Sequence, residues 1–228
     1  MKNSPDTLIN PLLAFHFEVP LNYWPGKWSA RGIDLPAEYR MPSLNHVLHR
    51  GPSFADLRMG WNERGLAVWL TVTGKKSPPW CRLTRPEESD GLQLYFGLRE
   101  TRSLRRANRY CHQFTILPTV EPAGGAGPRM LAVPIQRAVD NPPEVRPNHL
   151  QIQGRVTPTG YQFSGWISAE ALHDFAPQEQ PTIGFTYVVV DRELGWQSFN
   201  LSPDYPLADP SLWGRLRLVA PAGRAKST

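Results

Sequence analysis

Cysteine is nearly missing from this chain. Cys81 and Cys111 are the two in 228 residues, too few for a disulfide framework. They can form one bridge or remain as thiols. Because free cysteine is among the most buried side chains, two buried thiols are expected. Long apolar runs are missing too. Nothing approaches the roughly 18 consecutive apolar residues of a membrane-spanning helix. The opening stretch MKNSPDTLINPLLAFHFEV is interrupted by Pro5, Asp6 and Pro11, so it lacks the apolar core and small-residue cleavage site of a secretory leader. A soluble, cytoplasmic protein without membrane contact is the default expectation.

The usual catalytic signatures are also missing. His16, His46, His49, His112, His149 and His173 form no HxH or HxxxH pair. Cys81, Cys111 and His112 could converge on zinc, but no fourth ligand is identifiable. There is no GxSxG and no Cys-His nucleophile pattern. Gly124, Gly125 and Gly127 are not followed by Lys-Ser/Thr, which excludes a phosphate loop of that type. Asp56, Glu63, Asp90, Asp191 and Glu193 fall at turns or strand ends, where acids cap and solvate. No pair among them is singled out for glycoside hydrolysis. The expectation is a protein that is not an enzyme, with no catalytic residue to name.

Basic residues are in mild excess, with a net charge of +5 and a pI near 9.4. Much of that excess is Arg99, Arg102, Arg105, Arg106 and Arg109 around one loop, with Arg224 and Lys226 near the end. Nucleic-acid surfaces extend further and interleave stacking aromatics. A solvated loop is expected, and no nucleic-acid partner.

What the chain does have is proline, glycine and period-two patterning. Pro 24 and Gly 18 suit many short strands joined by rigid turns. Leu57 to Trp61 and Leu66 to Thr73 flank Asn62, Glu63, Arg64 and Gly65, a hairpin signal. Leu66, Val68, Leu70 and Val72 alternate with Ala67, Trp69, Thr71 and Thr73, so one face is aliphatic. From Asp90 the pattern returns, with Leu92, Leu94 and Phe96 on one face and Gln93 and Tyr95 on the other. Further strands are expected over Leu12–Val19, Tyr110–Leu117, Leu131–Ile135, Leu150–Val156, Tyr161–Ile167, Ile183–Val190, Trp196–Leu201 and Leu216–Val219. The interval from Pro20 to Pro52 is a long loop holding Trp24, Trp28 and Tyr39, either a covering flap or an aromatic wall. Ser168 to Phe175 is the one helix signal, with Ser168 at the N-cap and Pro177 soon after. Many strands, one short helix and no βαβ alternation predict an all-β, antiparallel β-sandwich of jelly-roll type with long loops. Residues 1–220 form one domain in this reading, and 221–228 a disordered tail.

One resemblance sharpens it. Trp61, Asn62, Gly65, Leu66, Val68 and Val72, followed by Ser89, Asp90, Gly91, Leu92, Gln93, Leu94, Tyr95 and Phe96, resemble the paired hairpin and strand motifs of family 9 carbohydrate-binding modules and DOMON-like domains. GYQFSGWISAEAL, Gly160 to Leu172, is similar to a segment near the end of those modules. Ser164 departs from it where an acid is usual, and Ser168 where proline is. The resemblance implies a β-sandwich and a non-catalytic module that binds carbohydrate; it also favours export. It allows structural calcium, for which Asp191 and Glu193 are the nearest candidates. A sugar ring offers apolar C–H faces rimmed by hydroxyls, so its sites stack aromatics and place amides at the rim. Trp69, Gln93, Tyr95 and Trp166 lie on the non-aliphatic faces of three strands and would form such a platform if those strands shared one sheet. The same aromatics could instead pack beneath the long N-terminal loop. Two alternatives stay open: an intracellular interaction or scaffold protein with no sugar ligand, and a haem-binding DOMON-like carrier using Met59 and His112. The oligomeric state is not legible.

Overall fold

A computed structural model describes residues 17–43, 53–120, 127–201, 203 and 205–220. Among the described residues eleven strands form two sheets, as the alternation requires. The larger sheet runs β1 (Glu18–Leu21), β11 (Gly214–Leu218), β9 (Thr182–Asp191), β4 (Gly91–Gly97), β5 (Cys111–Val120) and β6 (Gly127–Val133), with β10 (Gly195–Ser198) also pairing to β9. The smaller runs β2 (Ala55–Asn62), β3 (Gly65–Thr73), β8 (Gly160–Ser168) and β7 (Leu150–Thr157). All pairings are antiparallel except β1 with β11.

The aliphatic faces meet between the sheets. Leu66, Val68, Leu70 and Val72 of β3 and Leu92, Leu94 and Phe96 of β4 are all buried in one core, with Phe114, Tyr161, Phe163, Phe185 and Tyr187. Each large side chain so buried contributes about 1.5–3 kcal/mol, which fixes which way every strand faces. The β2–β3 hairpin turns where the sequence places it. Asn62 Oδ1 accepts the Arg64 N–H at 2.9 Å. Gly65 holds φ 144°, and a Cβ there would lie 2.1 Å from the Ile167 carbonyl oxygen, so only glycine fits. Gln197 points inward and joins the sheets: its Oε1 accepts the Phe54 and Ala55 N–H groups and its Nε2 donates to the Ala55 carbonyl.

The strand expected over Leu12–Val19 is described only at its end, where β1 runs Glu18–Leu21; Leu12 to His16 lie outside the described residues, as does the tail 221–228. One expectation is corrected. The helix expected over Ser168–Phe175 is a single 3-10 turn, Ala169–Ala171, with Ser168 at the N-cap position but no side-chain cap. Leu172 is buried in the core, and Asp174 takes a φ of 73°, which ends any helical path within one turn.

Candidate functional site

The four expected platform residues do not share a sheet. Trp69 on β3 and Trp166 on β8 lie on the outer face of the smaller sheet, while Gln93 and Tyr95 on β4 lie on the outer face of the larger one. The two pairs face away from each other across the sandwich. That corrects the single platform of the sequence reading, and the reason is strand pairing: β4 joins β5 and β9, not β3.

The Trp69–Trp166 face is covered. Residues of the long N-terminal loop lie across it, and Ile33, Leu35, Tyr39, Ala67 and Trp166 form a buried cluster with Trp24, Trp28 and Trp69 against it. Hydrogen bonds to the sheet pin the cover, among them Ile33 N–H to Ser164 Oγ at 2.9 Å, Arg58 guanidinium to the Leu35 carbonyl at 2.7 Å and Asn62 Nδ2 to the Trp24 carbonyl at 2.9 Å, while the Tyr39 hydroxyl braces the cover internally on the Tyr23 carbonyl at 3.0 Å. Ser164, the departure from the family's usual acid, is thus the docking point of the cover. Gly32 holds φ 82° and approaches so closely that a Cβ on it would stand 2.4 Å from Ser164 Oγ, so glycine is required at 32 opposite this serine. Trp69 keeps some exposure, but the Arg58 guanidinium lies 4.4 Å from its ring centroid. One of its faces is therefore taken.

Gln93 and Tyr95 have a different setting. They stand on the outer face of the larger sheet, where loops cover only part of the surface with Ala107, Ile135, Leu201 and Trp213. A recess of about 480 Å³ remains between those loops, within the range of small-molecule sites. Gln93, Tyr95 and Gln113 line its floor; Trp196, Tyr205 and Glu87 line its walls. Register explains the grouping. Tyr95 is opposite Gln113, Gln93 is opposite Val188, and Val188 and Val190 share a face with Trp196 because Trp196 pairs with Val190. The Tyr95 hydroxyl donates to Gln93 Oε1 at 2.9 Å, and Gln93 Nε2 donates to the Glu87 carbonyl at 2.9 Å. This orients the Gln93 amide while leaving one of its N–H groups and one of its oxygen lone pairs for a ligand. Burial raises the Tyr95 hydroxyl pKa, with a smaller push from Glu87, so it stays a neutral donor and acceptor. Thr115, opposite Gln93, has a buried hydroxyl with no partner among the described residues.

The calcium that the resemblance allows meets an obstacle. Around Asp191 and Glu193 the cation is already a side chain: Lys75 Nζ lies 2.7 Å from both Asp191 oxygens and 3.1 Å from Asp90 Oδ2. As arranged, these residues do not fit a divalent ion. Cys81 and Cys111 are free thiols. Cys81 borders Thr119 and Val120 while Cys111 opens β5, which sets them ~25 Å apart along a strand rising about 3.3 Å per residue. Neither a bridge nor a shared zinc site follows. Met59 is fully buried in the main core. His112 lines a separate recess beside Phe114 and Met130, with its ring parallel to that of Phe114.

Sequence reasoning missed Trp196, Tyr205, Gln113 and Glu87. Trp196 carried a signal, since a tryptophan one residue after the Asp191–Gly195 turn must lie on a definite face once the register is known. Tyr205 and Glu87 lie on loops, where no periodicity speaks.

No family model matches the sequence, and no curated protein does. Solved structures do. The chain is similar in fold to a family 9 carbohydrate-binding module from Caldicellulosiruptor kristjanssonii in complex with cellotriose, at TM-score 0.58 and 11% identity over 93% of this chain and 98% of that one. A structure from the same organism and family in complex with glucose gives TM-score 0.57 and 11% identity, covering 92% and 100%. At that identity the likeness establishes the fold: this chain has the β-sandwich of family 9 modules.

Proposed function

We propose that this protein is a non-catalytic carbohydrate-binding module whose site is the recess on the outer face of the larger sheet. The observation that carries the reading is one floor holding the oriented Gln93 amide and Tyr95 hydroxyl together with Gln113, beside the partly exposed aromatic walls Trp196 and Tyr205. A pyranose ring matches both features. Its C–H face stacks on an aromatic ring, and its hydroxyls each donate and accept, as an amide does. Of the platform first expected, Gln93 and Tyr95 keep a direct role and Trp69 and Trp166 support the covered face. The fold likeness to modules solved with cellotriose and glucose supports the same reading.

Among the described residues no side chain lining the recess is cationic, and Glu87 stands on its wall. Uncharged sugars such as glucose and short gluco-oligosaccharides are therefore the ligands expected, and sugar acids are disfavoured by the carboxylate.

Titration of intrinsic tryptophan fluorescence with glucose, cellobiose, cellotriose and glucuronate tests this. Wild type should saturate with the neutral sugars and bind glucuronate at least several-fold more weakly. Trp196→Ala and Gln93→Ala should each weaken binding by roughly tenfold or more, the effect of losing about 1–2 kcal/mol of stacking or hydrogen bonding. Trp69→Ala should leave affinity unchanged. Sugar binding that survives Trp196→Ala but not Trp69→Ala would move the site to the other sheet. No response to any sugar would remove the reading.

A further inference from the structure

We propose that the ammonium of Lys75 is the built-in cation of the carboxylate cluster Asp90–Asp191–Glu193, taking the place of a divalent ion, so that this sandwich closes without metal. Lys75 directly follows the Gly74 turn that leaves β3, and its side chain is 2% exposed; those of Asp90 and Asp191 are 1% and 0% exposed. Nζ reaches both Asp191 oxygens at 2.7 Å and Asp90 Oδ2 at 3.1 Å, with Glu193 Oε2 at 4.0 Å. Three segments distant in sequence thus converge on one positive charge: the start of the 74–90 loop, the entry to β4 and the turn after β9.

Geometry and donor chemistry both favour an ammonium here. A calcium ion needs six to eight oxygens at about 2.3–2.6 Å, shorter than any contact Nζ makes. The carboxylates are also engaged by backbone donors. Asp90 accepts from Trp80 N and Arg192 N. Asp191 Oδ1 accepts from Glu193 N and Leu194 N. Glu193 accepts from Lys76 N and Ser77 N. An isolated charge at this depth would be costly, but an ammonium hydrogen-bonded to two carboxylates that are themselves held by N–H groups is compensated on every side. Its partners raise the lysine's pKa despite the opposing burial, which keeps the cation charged.

The inference stands apart from the carbohydrate reading and has its own test. Thermal melting followed by circular dichroism is recorded for wild type, Lys75→Ala and Lys75→Met, each with EDTA and with excess calcium chloride. Wild type should melt at the same temperature in both. Lys75→Ala leaves the carboxylates without a counter-charge and should melt about 10 °C lower in EDTA. Calcium should not restore that loss, because the oxygens of Asp90, Asp191 and Glu193 stay engaged by backbone N–H groups and offer no calcium shell. Lys75→Met fills the same space with an uncharged chain and should likewise be destabilised in both conditions. If Lys75→Ala is unfolded in EDTA, its failure to refold on addition of calcium is the readout. A wild-type melt that falls in EDTA or rises with calcium overturns the proposal, as does a Lys75→Ala protein that melts like wild type or is restored by calcium.

Discussion

His112 shows how one buried side chain sets a pH response. Burial, with a smaller contribution from nearby His173, lowers its pKa from 6.5 to about 4, although a hydrogen bond to the His173 backbone works the other way. The folded protein therefore holds the ring neutral where the unfolded chain would protonate it. Stability is complete above pH 6.5 and falls as pH drops toward 4, by about 1.4 kcal/mol per pH unit and about 3 kcal/mol in total. Urea unfolding at pH 7 and pH 5 should show about 2 kcal/mol of this loss in wild type and a much smaller one in His112→Phe; equal losses would assign the acid sensitivity elsewhere. Asp56 acts lower on the scale. Burial raises its pKa, but the hydrogen bonds from Arg58 and Arg40 outweigh that, so its contribution is lost only as pH falls below about the ordinary carboxylate value of 3.8. The cysteines give a second check at this scale. Burial pushes the Cys81 thiol up to about 11 and raises that of Cys111. In native protein at pH 8 the buried Cys111 should react slowly with an aromatic disulfide reagent, and the half-buried Cys81 faster, with full reaction of both after denaturation; rapid modification of Cys111 in the native state would contradict its burial.

At the scale of the element, the cover over β3 and β8 decides which face can receive a ligand. It stays down because Ser164 Oγ accepts the Ile33 N–H and because the surface there is small enough for Gly32 to approach. Ser164→Ala should cost about 1 kcal/mol, the loss of one acceptor for a buried N–H. Ser164→Glu restores the acid usual in the resembling modules but meets the Gly32 backbone, and should lift the cover. The measurement is limited trypsinolysis at the exposed Lys27 and Arg31 together with tryptophan emission. Faster cleavage and a red shift in Ser164→Glu, with little change in Ser164→Ala, is the expected result; identical profiles would mean that the cover does not depend on this contact. The hairpin beneath the cover was fully legible beforehand. Its turn residues and both its faces follow from Asn62, Gly65 and the spacing of Leu66, Val68, Leu70 and Val72. The cover itself was legible only as a long loop with aromatics, because residues without a period carry no information about what they lie against.

For the whole molecule, a ligand that binds the folded state stabilises it by mass action. Glucose or cellobiose at about a hundredfold excess over its dissociation constant should contribute about 2.7 kcal/mol, a rise of about 5–10 °C in melting temperature for a chain of this size. The rise should vanish in Trp196→Ala and persist in Trp69→Ala. A rise of the same size in both variants would detach sugar binding from the recess.

The amino-acid sequence by itself determined the strands, their inward faces and the β-sandwich. Each of these rests on spacing within a few residues, where a period of two and a turn glycine act directly on the backbone. It also put Gln93 and Tyr95 together on one outward face. Only the tertiary structure decided that Trp69 and Trp166 belong to the opposite side, that Trp196 joins Gln93, and that Lys75 meets Asp191 across 116 residues of chain. Periodicity says which residues share a face of one strand. Which strands become neighbours is settled by how two aliphatic faces pack, and by which loops the turns bring to the same end.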